Sequence, residues 1–429
     1  MRAPDHPRTV SIVGLPAGGW AELGEQARSR IAAASVVVGS ARQLDLVPTH
    51  PAQTQRAWPS PLLPALAAIL TENENSDVVV LASGDPLVSG IGSTIIALIG
   101  AARVHILPAV SSLALARAAM GWASETTVAV TLVGRDPHAV LRELAPGRRV
   151  IVLSSDSRTP QRVADLLVGA GYGTSTITVL GNLGTTKAFR ASACAESWPS
   201  GEVPALNLLC IECRPSPETV LLAAVPGLPD DAFEHDGQIT KRDVRASALA
   251  RLAPVPGQLL WDVGAGAGSV AVEWARSHPT CRAIAVEKNS ERAQRIARNA
   301  SMLGVPSVQI VISSAPSGLA DLEAPHAVFV GGGATAPGVL ESCWEALLPG
   351  GRFVVHGVTL ETEGVLFQWF TRLGGELIQL AVSRAEAIGT FTGFTPARPI
   401  TQWSITKRST SQHSATPKQA NEQNVQGDL

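Results

Sequence analysis

An aspartate, three glycines and a glutamate in the second half of the chain are spaced for chemistry on a nucleoside-bearing ligand. Asp262 lies near the end of the apolar run Leu259–Val263, two positions before Gly264. Gly264, Ala265, Gly266, Ala267 and Gly268 then lead into a helix predicted from Ser269. Glycines let a ligand approach the backbone closely, and a helix N-terminus offers free N–H groups. Nineteen residues past Gly268, Glu287 ends the next apolar run, where a carboxylate can accept both ribose hydroxyls of an adenosine-containing cofactor. A nicotinamide dinucleotide and S-adenosylmethionine both fit that description. The spacing G-x-G-x-G differs from the dinucleotide G-x-G-x-x-G, and Asp262 would repel a pyrophosphate but attract the ammonium of a methionine tail. The methyl donor is therefore favoured. A purely structural strand–turn–helix does not account for Asp262, three glycines and Glu287 together.

Further candidates follow the later strands. Ser313–Pro316 stands where an adenine-contacting loop belongs, and Gly331–Gly333 follows the next strand at the rim where ligands bind. His356 and Glu361 are candidates for proton handling; a satisfied imidazole and a helix-start carboxylate are the structural alternatives. Lys241, Arg242 and Arg245 form either a solvated helix face or a greeting for substrate carboxylates, with Lys241 favoured for the second role. In the first half, Gly14–Trp20, Ala82–Pro86, Gly90–Ser93 and Pro108–Ser112 are small-residue loops near strand ends, which together could line one nucleotide-type cleft. Cys210-Ile-Glu-Cys213 has the spacing of a redox or zinc pair. It lies in an apolar run with no second pair, so two buried structural thiols are expected and no metal site.

These residues need a scaffold, and the chain supplies one. It has 429 residues, 45% hydrophobic and 16% charged, which excludes disorder across the main body. Its 34 Lys+Arg and 36 Asp+Glu give a formal charge of −2, which argues against a nucleic-acid binder. No apolar run approaches the ~18 residues of a membrane span, no signal pattern opens the chain, and five scattered cysteines suit a reducing cytoplasm. Short β-rich runs alternate with helical stretches, so the fold class is α/β, with a largely parallel sheet expected in the first block. The boundaries read as a first domain over 9–213, a Pro-rich linker over 214–230, a second domain over 231–406 and a disordered polar tail over 407–429.

The segment Gly227–Arg245, the run Trp261–Trp274, Gly331–Gly333 and His356–Glu361 resemble the decarboxylating precorrin methyltransferase domain, a Rossmann-like class I methyltransferase fold. That resemblance implies that Thr240, Gly264–Gly268, Glu287 and Ala315 contact S-adenosylmethionine. In the first block, Val36–Gly39, Trp58–Pro61, Ser83–Pro86, Pro108–Ser112, Gly121-Trp122, Gly134-Arg135 and Pro204–Glu212 resemble the precorrin-6 branch of the tetrapyrrole methylase family. Asp85 and its loop, Gly92, Ser93, Ser111 and Ser112 are then implied cofactor contacts. The family usually carries an acidic residue before the Gly19-Trp20 pair, where this chain has Gly18; aromatics after Pro86, where it has Leu87-Val88-Ser89; and Glu before Asn182, where it has Gly181. Together the two resemblances imply one S-adenosylmethionine per domain, methylation of a tetrapyrrole at carbons 5 and 15, and loss of the ring C acetate carboxylate, in a cytoplasmic homo-oligomer. The alternative is one active methyltransferase domain, with the first domain a docking or oligomerisation module.

Overall fold

The computed structural model describes residues 9–59, 62–199 and 201–408. Most of the expected tail (409–429), the Ser60-Pro61 half of the Trp58–Pro61 match and the first eight residues lie outside it. The chain separates into two compact units, with the division between Val220 and Leu221.

The first unit opens with the run Val10–Leu15 (β1), in which every side chain is buried. A strand covered on both faces reads as a nearly continuous apolar run without alternation, and the one polar side chain in it, Ser11, accepts a hydrogen bond from Arg30 Nε (2.6 Å). The helix Glu25–Ala33 (α1), β2 (Val36–Gly39), α2 (Ala41–Leu44), β3 (Thr54–Ala57), α3 (Leu62–Glu72), β4 (Val78–Ser83), α4 (Ile91–Ile99) and β5 (Val104–Leu107) follow, and the sheet order is β3-β2-β4-β1-β5, all parallel. The second sheet departs from the expected parallel arrangement. After α5 (Ser112–Met120) come β6 (Thr127–Thr131), β7 (Arg149–Leu153), α6 (Thr159–Gly169), β8 (Thr176–Gly181), β9 (Phe189–Cys194) and β10 (Asn207–Glu212), ordered β6-β7-β10-β8-β9. Only β6 and β7 pair in parallel; the other three pairings are antiparallel. The connection from β8 to β9 is too short for a crossover, so those two strands must run oppositely. Cys210 inside β10 and Cys213 just past it are buried, and burial pushes their thiols up to about 12 and about 11. They are inert core groups, as a lone CxxC in an apolar strand suggests.

The second unit is a seven-stranded sheet. Its elements are α7 (Arg242–Leu252), β11 (Leu259–Val263), α8 (Ser269–Ser277), β12 (Arg282–Val286), α9 (Ser290–Met302), β13 (Gln309–Val311), β14 (Ala327–Val330), α10 (Val339–Ala346), β15 (Arg352–Gly357), α11 (Leu360–Leu373), β16 (Glu376–Leu380), the hairpin β17 (Ser383–Ile388) and β18 (Phe391–Pro396), and β19 (Ile400–Thr406). The order is β13-β12-β11-β14-β15-β19-β16. β19 inserts between β15 and β16, antiparallel to both. This arrangement puts the order reversal beside β11, so the loops after β11, β12 and β14 surround a topological switch point, where α/β sheets bind ligands.

The Pro-rich passage over 214–230 is held at both ends. Arg214 N donates to Ser175 Oγ (2.9 Å) and Thr219 Oγ1 to the Gly171 carbonyl (2.9 Å), while the Leu222 carbonyl accepts from Arg276 (2.9 Å). Proline keeps the passage out of helix and sheet, yet its carbonyls and neighbouring amides remain free for such anchors. At the other end Lys407 belongs to the fold, not to a tail. Its ammonium accepts no bond but donates to the carbonyls of Trp344, Glu345 and Leu347 at the end of α10, a favourable cation at a helix C-terminus.

Candidate functional site

The site in the second unit is built on the turn out of β11. Gly264, Gly266 and Gly268 all have positive φ (69°, 59° and 74°). A Cβ on Gly266 would fall 2.6 Å from the Gln238 carbonyl, and one on Gly268 2.6 Å from Ile296. Only glycine allows this turn and this closeness. Ala267 N donates to the same Gln238 carbonyl (3.0 Å), so the segment before Thr240 is stitched to the glycine loop. Past β14, a Cβ on Gly332 or Gly333 would meet nothing, so this rim is open space.

Two buried carboxylates lie beneath the loop. Glu287 accepts from Gly266 N through Oε2 (2.9 Å) and from Asn289 N through Oε1 (3.0 Å). Those amides fix the carboxylate and leave each oxygen a lone pair for a hydroxyl. Asp262 accepts from Ala271 N in α8 through Oδ2 (2.9 Å), while its Oδ1 is buried without a partner. Burial, aided by the Glu287 charge, pushes the Asp262 carboxyl up to about 7. An unsatisfied buried oxygen on a reluctantly charged carboxylate is what a cationic donor such as an ammonium would satisfy. The residues present therefore fit S-adenosylmethionine. Ala315 is half-buried beside the core of this unit, and Thr240, half-buried, gives its carbonyl to Arg245 (2.5 Å).

Arg245 does not greet a substrate. It is fully buried; its guanidinium bonds Glu273 (2.6 Å), Asp230 (3.1 Å) and the carbonyls of Thr240 and Leu228, with its plane 4.8 Å from the centre of Phe233. Glu273 also accepts from the amides of Gly227 (2.6 Å) and Leu228 (3.0 Å). This network fastens the entry segment to α8. The sequence reading missed Glu273; its placement among the apolar positions of α8 was the available signal. Lys241, by contrast, is exposed, with Asp230 3.9 Å away. His356 lies inside β15, not on an open rim. Its Nε2 meets Gln402 Oε1 at 2.9 Å, Phe329 stacks edge-on at 4.9 Å, and burial pulls its pKa down to about 4. It is neutral at pH 7, which removes an imidazolium proton donor. Glu361 is exposed in the first turn of α11, where its backbone amide and the Thr359 hydroxyl hold it below the usual carboxylate range.

In the first unit the loops after β1, β4 and β5 meet. Gly84 N donates to the Leu15 carbonyl (2.8 Å) and Ala109 N to the Gly84 carbonyl (3.2 Å). The individual residues mostly shape turns. Asp85 Oδ1 accepts from Leu87 N (2.8 Å), Gly92 N donates to the Pro86 carbonyl (3.0 Å), Ser93 bonds the Gly90 carbonyl (3.2 Å), and Ser111 caps α5 by accepting from Ala114 N (3.1 Å), with Ser112 next to it as the first helical residue. Beside them opens a cavity of about 450 Å3 between the loops after β1 and β5, Leu115 and Gly184, and Glu22 is on its wall.

Comparison with known proteins fits both units. Residues 9–192 match the tetrapyrrole (corrin/porphyrin) methylases and residues 231–407 the precorrin methyltransferase domain. The chain is 44% identical over 398 residues to precorrin-6Y C(5,15)-methyltransferase (decarboxylating) from Sinorhizobium sp., covering 93% of this chain and 96% of that one. It is 43% identical over 402 residues to the protein of the same name from Mycobacterium tuberculosis, covering 93% and 100%. The crystal structure of the C-terminal domain of precorrin-6Y C5,15-methyltransferase from Rhodobacter capsulatus is 44% identical, covering 43% of this chain and all of that one, with a TM-score of 0.42. The chain is a methyltransferase enzyme and belongs to the precorrin-6Y C(5,15)-methyltransferase (decarboxylating) family.

Proposed function

We propose that the chain methylates a precorrin-6 type macrocycle at carbons 5 and 15, with loss of the ring C acetate carboxylate, in cobalamin biosynthesis, and that each unit takes one S-adenosylmethionine. When bound, that cofactor supplies a methyl group already activated by its sulfonium. The observation that carries the reading is the pair of fixed carboxylates under the Gly264–Gly268 loop, with relatives of the same name spanning 93% of the chain. Glu287 would accept the ribose hydroxyls, Asp262 Oδ1 the ammonium, and Thr240 and Ala315 would complete the walls. The bridging carbons of the macrocycle are enamine-like, so the protein's task is alignment and exclusion of water.

We assign the decarboxylation to the second unit. Lys241 is an exposed cation one residue from Thr240 and can hold the acetate so that its breaking bond aligns with the ring. The conjugated ring accepts the electron pair left by carbon dioxide. In the first unit, the 450 Å3 cavity beside the loops after β1 and β5 favours a second methylating site over a docking module. A small-molecule substrate in the cytoplasm fits the charge balance, and among the described residues no helix is long and apolar enough to cross a membrane. Homo-oligomerisation has support from the hairpin β17–β18, where Phe391 and Phe394 are 80% and 76% exposed.

Calorimetric titration with the cofactor tests the reading: two molecules per chain are expected, and one would favour a docking first unit. Lys241→Ala should slow carbon dioxide release more than it weakens cofactor binding. Equal carbon dioxide release from the variant would remove Lys241 as the anchor.

A further inference from the structure

Glu22 in the first unit is used by nothing described so far. It ends the short turn Gly19–Glu22, and its side chain folds back so that Gly18 N donates to its Oε2 at 3.1 Å. Among the described residues lining the 450 Å3 cavity it is the one ionisable group; the rest are apolar side chains, prolines and glycines such as Leu23, Ala27, Leu115 and Gly184. The loop carrying it is fixed. Gly19 N donates to the Pro16 carbonyl (3.0 Å), Trp20 N to the Leu46 carbonyl (3.1 Å), and a Cβ on Gly184 would fall 3.0 Å from the Ala17 methyl. Glu22 is solvent-exposed, and a lone carboxylate on a fixed loop at the wall of an otherwise apolar cavity suits a ligand that is mostly apolar and carries N–H donors or positive charge.

We infer that Glu22 is the acidic group of the first methylating site, accepting the ring N–H of the tetrapyrrole and stabilising the positive charge that methylation places on that nitrogen. This rests on the reading of the first unit as a methylating site. In the step, the enamine pair of carbon 5 forms the new C–C bond, the methyl–sulfur bond breaks, and its electrons remain on sulfur. The ring nitrogen becomes a protonated iminium, and loss of the proton from carbon 5 to solvent once the product has left the site restores the neutral conjugated ring. A carboxylate already within reach of that nitrogen lowers the barrier without reorganising.

The geometry also shows where else such a carboxylate could be attached. A Cβ built on Gly18 would lie 2.4 Å from Glu22 Cδ and Oε1, so a short acidic side chain at position 18 would occupy the place that the Glu22 carboxylate now fills. Gly18 has φ −78° and ψ 2°, a conformation open to any residue. A carboxylate at this point of the cavity wall can thus come from position 18 or, as in this chain, from Glu22 one turn further along.

The test uses the full chain with tetrapyrrole substrate and a methyl donor labelled with carbon-13, reading carbons 5 and 15 separately by NMR. Glu22→Gln keeps an oxygen for Gly18 N and loses only the charge. It should slow labelling of carbon 5 about 100-fold, with cofactor binding within twofold and unchanged labelling of carbon 15 on substrate already methylated at carbon 5. Glu22→Gly should lose carbon 5 labelling similarly, and adding Gly18→Asp to it should restore the rate to within about tenfold of the native chain. An unaffected Glu22→Gln would make the side chain a loop staple and overturn the assignment. Weakened cofactor binding with an unchanged rate would transfer Glu22 to the methyl donor and equally overturn it. If the native chain itself left carbon 5 unlabelled, the reading of the first unit would fall, a failure distinct from either of these.

Discussion

The two units build their candidate sites from different materials. In the second, the ligand region rests on charge. Asp262 and Glu287 are buried and bonded to backbone amides, and the Glu287 charge adds to burial in raising the Asp262 carboxyl. In the first, Asp85, Gly92, Ser93, Ser111 and Ser112 are occupied mainly in shaping their own turns, and the cavity beside them has a single carboxylate. A site made of buried charges is costly to disturb and strongly dependent on pH; one made of loop backbone depends on shape. That contrast yields four expectations.

The largest effect should follow Arg245→Leu. It would leave Glu273 as a buried carboxylate without its cation, at a cost of ~3–5 kcal/mol, and release the segment that carries Gly227 and Leu228. Denaturant titration should show the second unit unfolding early while the first keeps its transition. A simultaneous shift of both would break the contrast. Next, Glu287→Ala should weaken cofactor binding in the second unit by ~1.5–3 kcal/mol, the range for a charge-assisted hydrogen bond, and methylation by the first unit should persist. Full affinity in calorimetry would remove the ribose assignment.

Third, the ligand-free second unit should respond to pH through Asp262. Its carboxyl is raised from the ordinary ~3.9 to about 7, so the native state holds a proton the unfolded chain has released. Its contribution is complete below about 4 and is lost as pH rises to about 7. A cationic ligand reverses the preference, so cofactor affinity should rise several-fold from pH 6 to 8, and Asp262→Asn should flatten both trends. An unchanged pH profile in the Asn variant would mean that Asp262 is not the titrating group. Smallest of all, truncation after Arg408 should leave the melting temperature unchanged, whereas truncation after Thr406 should lower stability by ~1–3 kcal/mol through loss of the Lys407 contacts to α10. Equal melting temperatures for the two truncations would show those contacts to be worthless.

Much of this was legible from residue type. Val78–Ala82 and Ala327–Val330 are unbroken apolar runs, Val10–Val13 and Leu259–Val263 are interrupted only by Ser11 and Asp262, and each lies in a buried interior strand. Asp262, the glycines and Glu287 are adjacent to strands in the sequence, so their convergence needed only the strand–turn–helix pattern. β3 (Thr54–Ala57) was not legible because an exposed edge strand imposes no apolar pattern. The hairpin β17–β18 was hidden for a related reason: nearly all its side chains face solvent. The role of Arg245 was illegible because a charged residue on the buried face of α7 looks like solvent exposure until Glu273 and Asp230, 28 and 15 residues away, are seen to surround it. Glu22 escaped notice because its place in the cavity depends on the loop doubling back over Gly18.

The position of β19 has a consequence for synthesis of the protein on the ribosome. The last strand among the described residues fills the gap between β15 and β16. Until residues 400–406 leave the exit tunnel, β15 has one unpaired edge and Trp403 is missing from the aromatic cluster with Phe353 and Trp369. The first unit, whose final strand ends at Glu212, can be complete while the second still waits. Nascent chains arrested before residue 400 should therefore carry a finished first unit and a chaperone-prone open sheet, and the second unit becomes committed to its fold only once residues 400–406 have emerged.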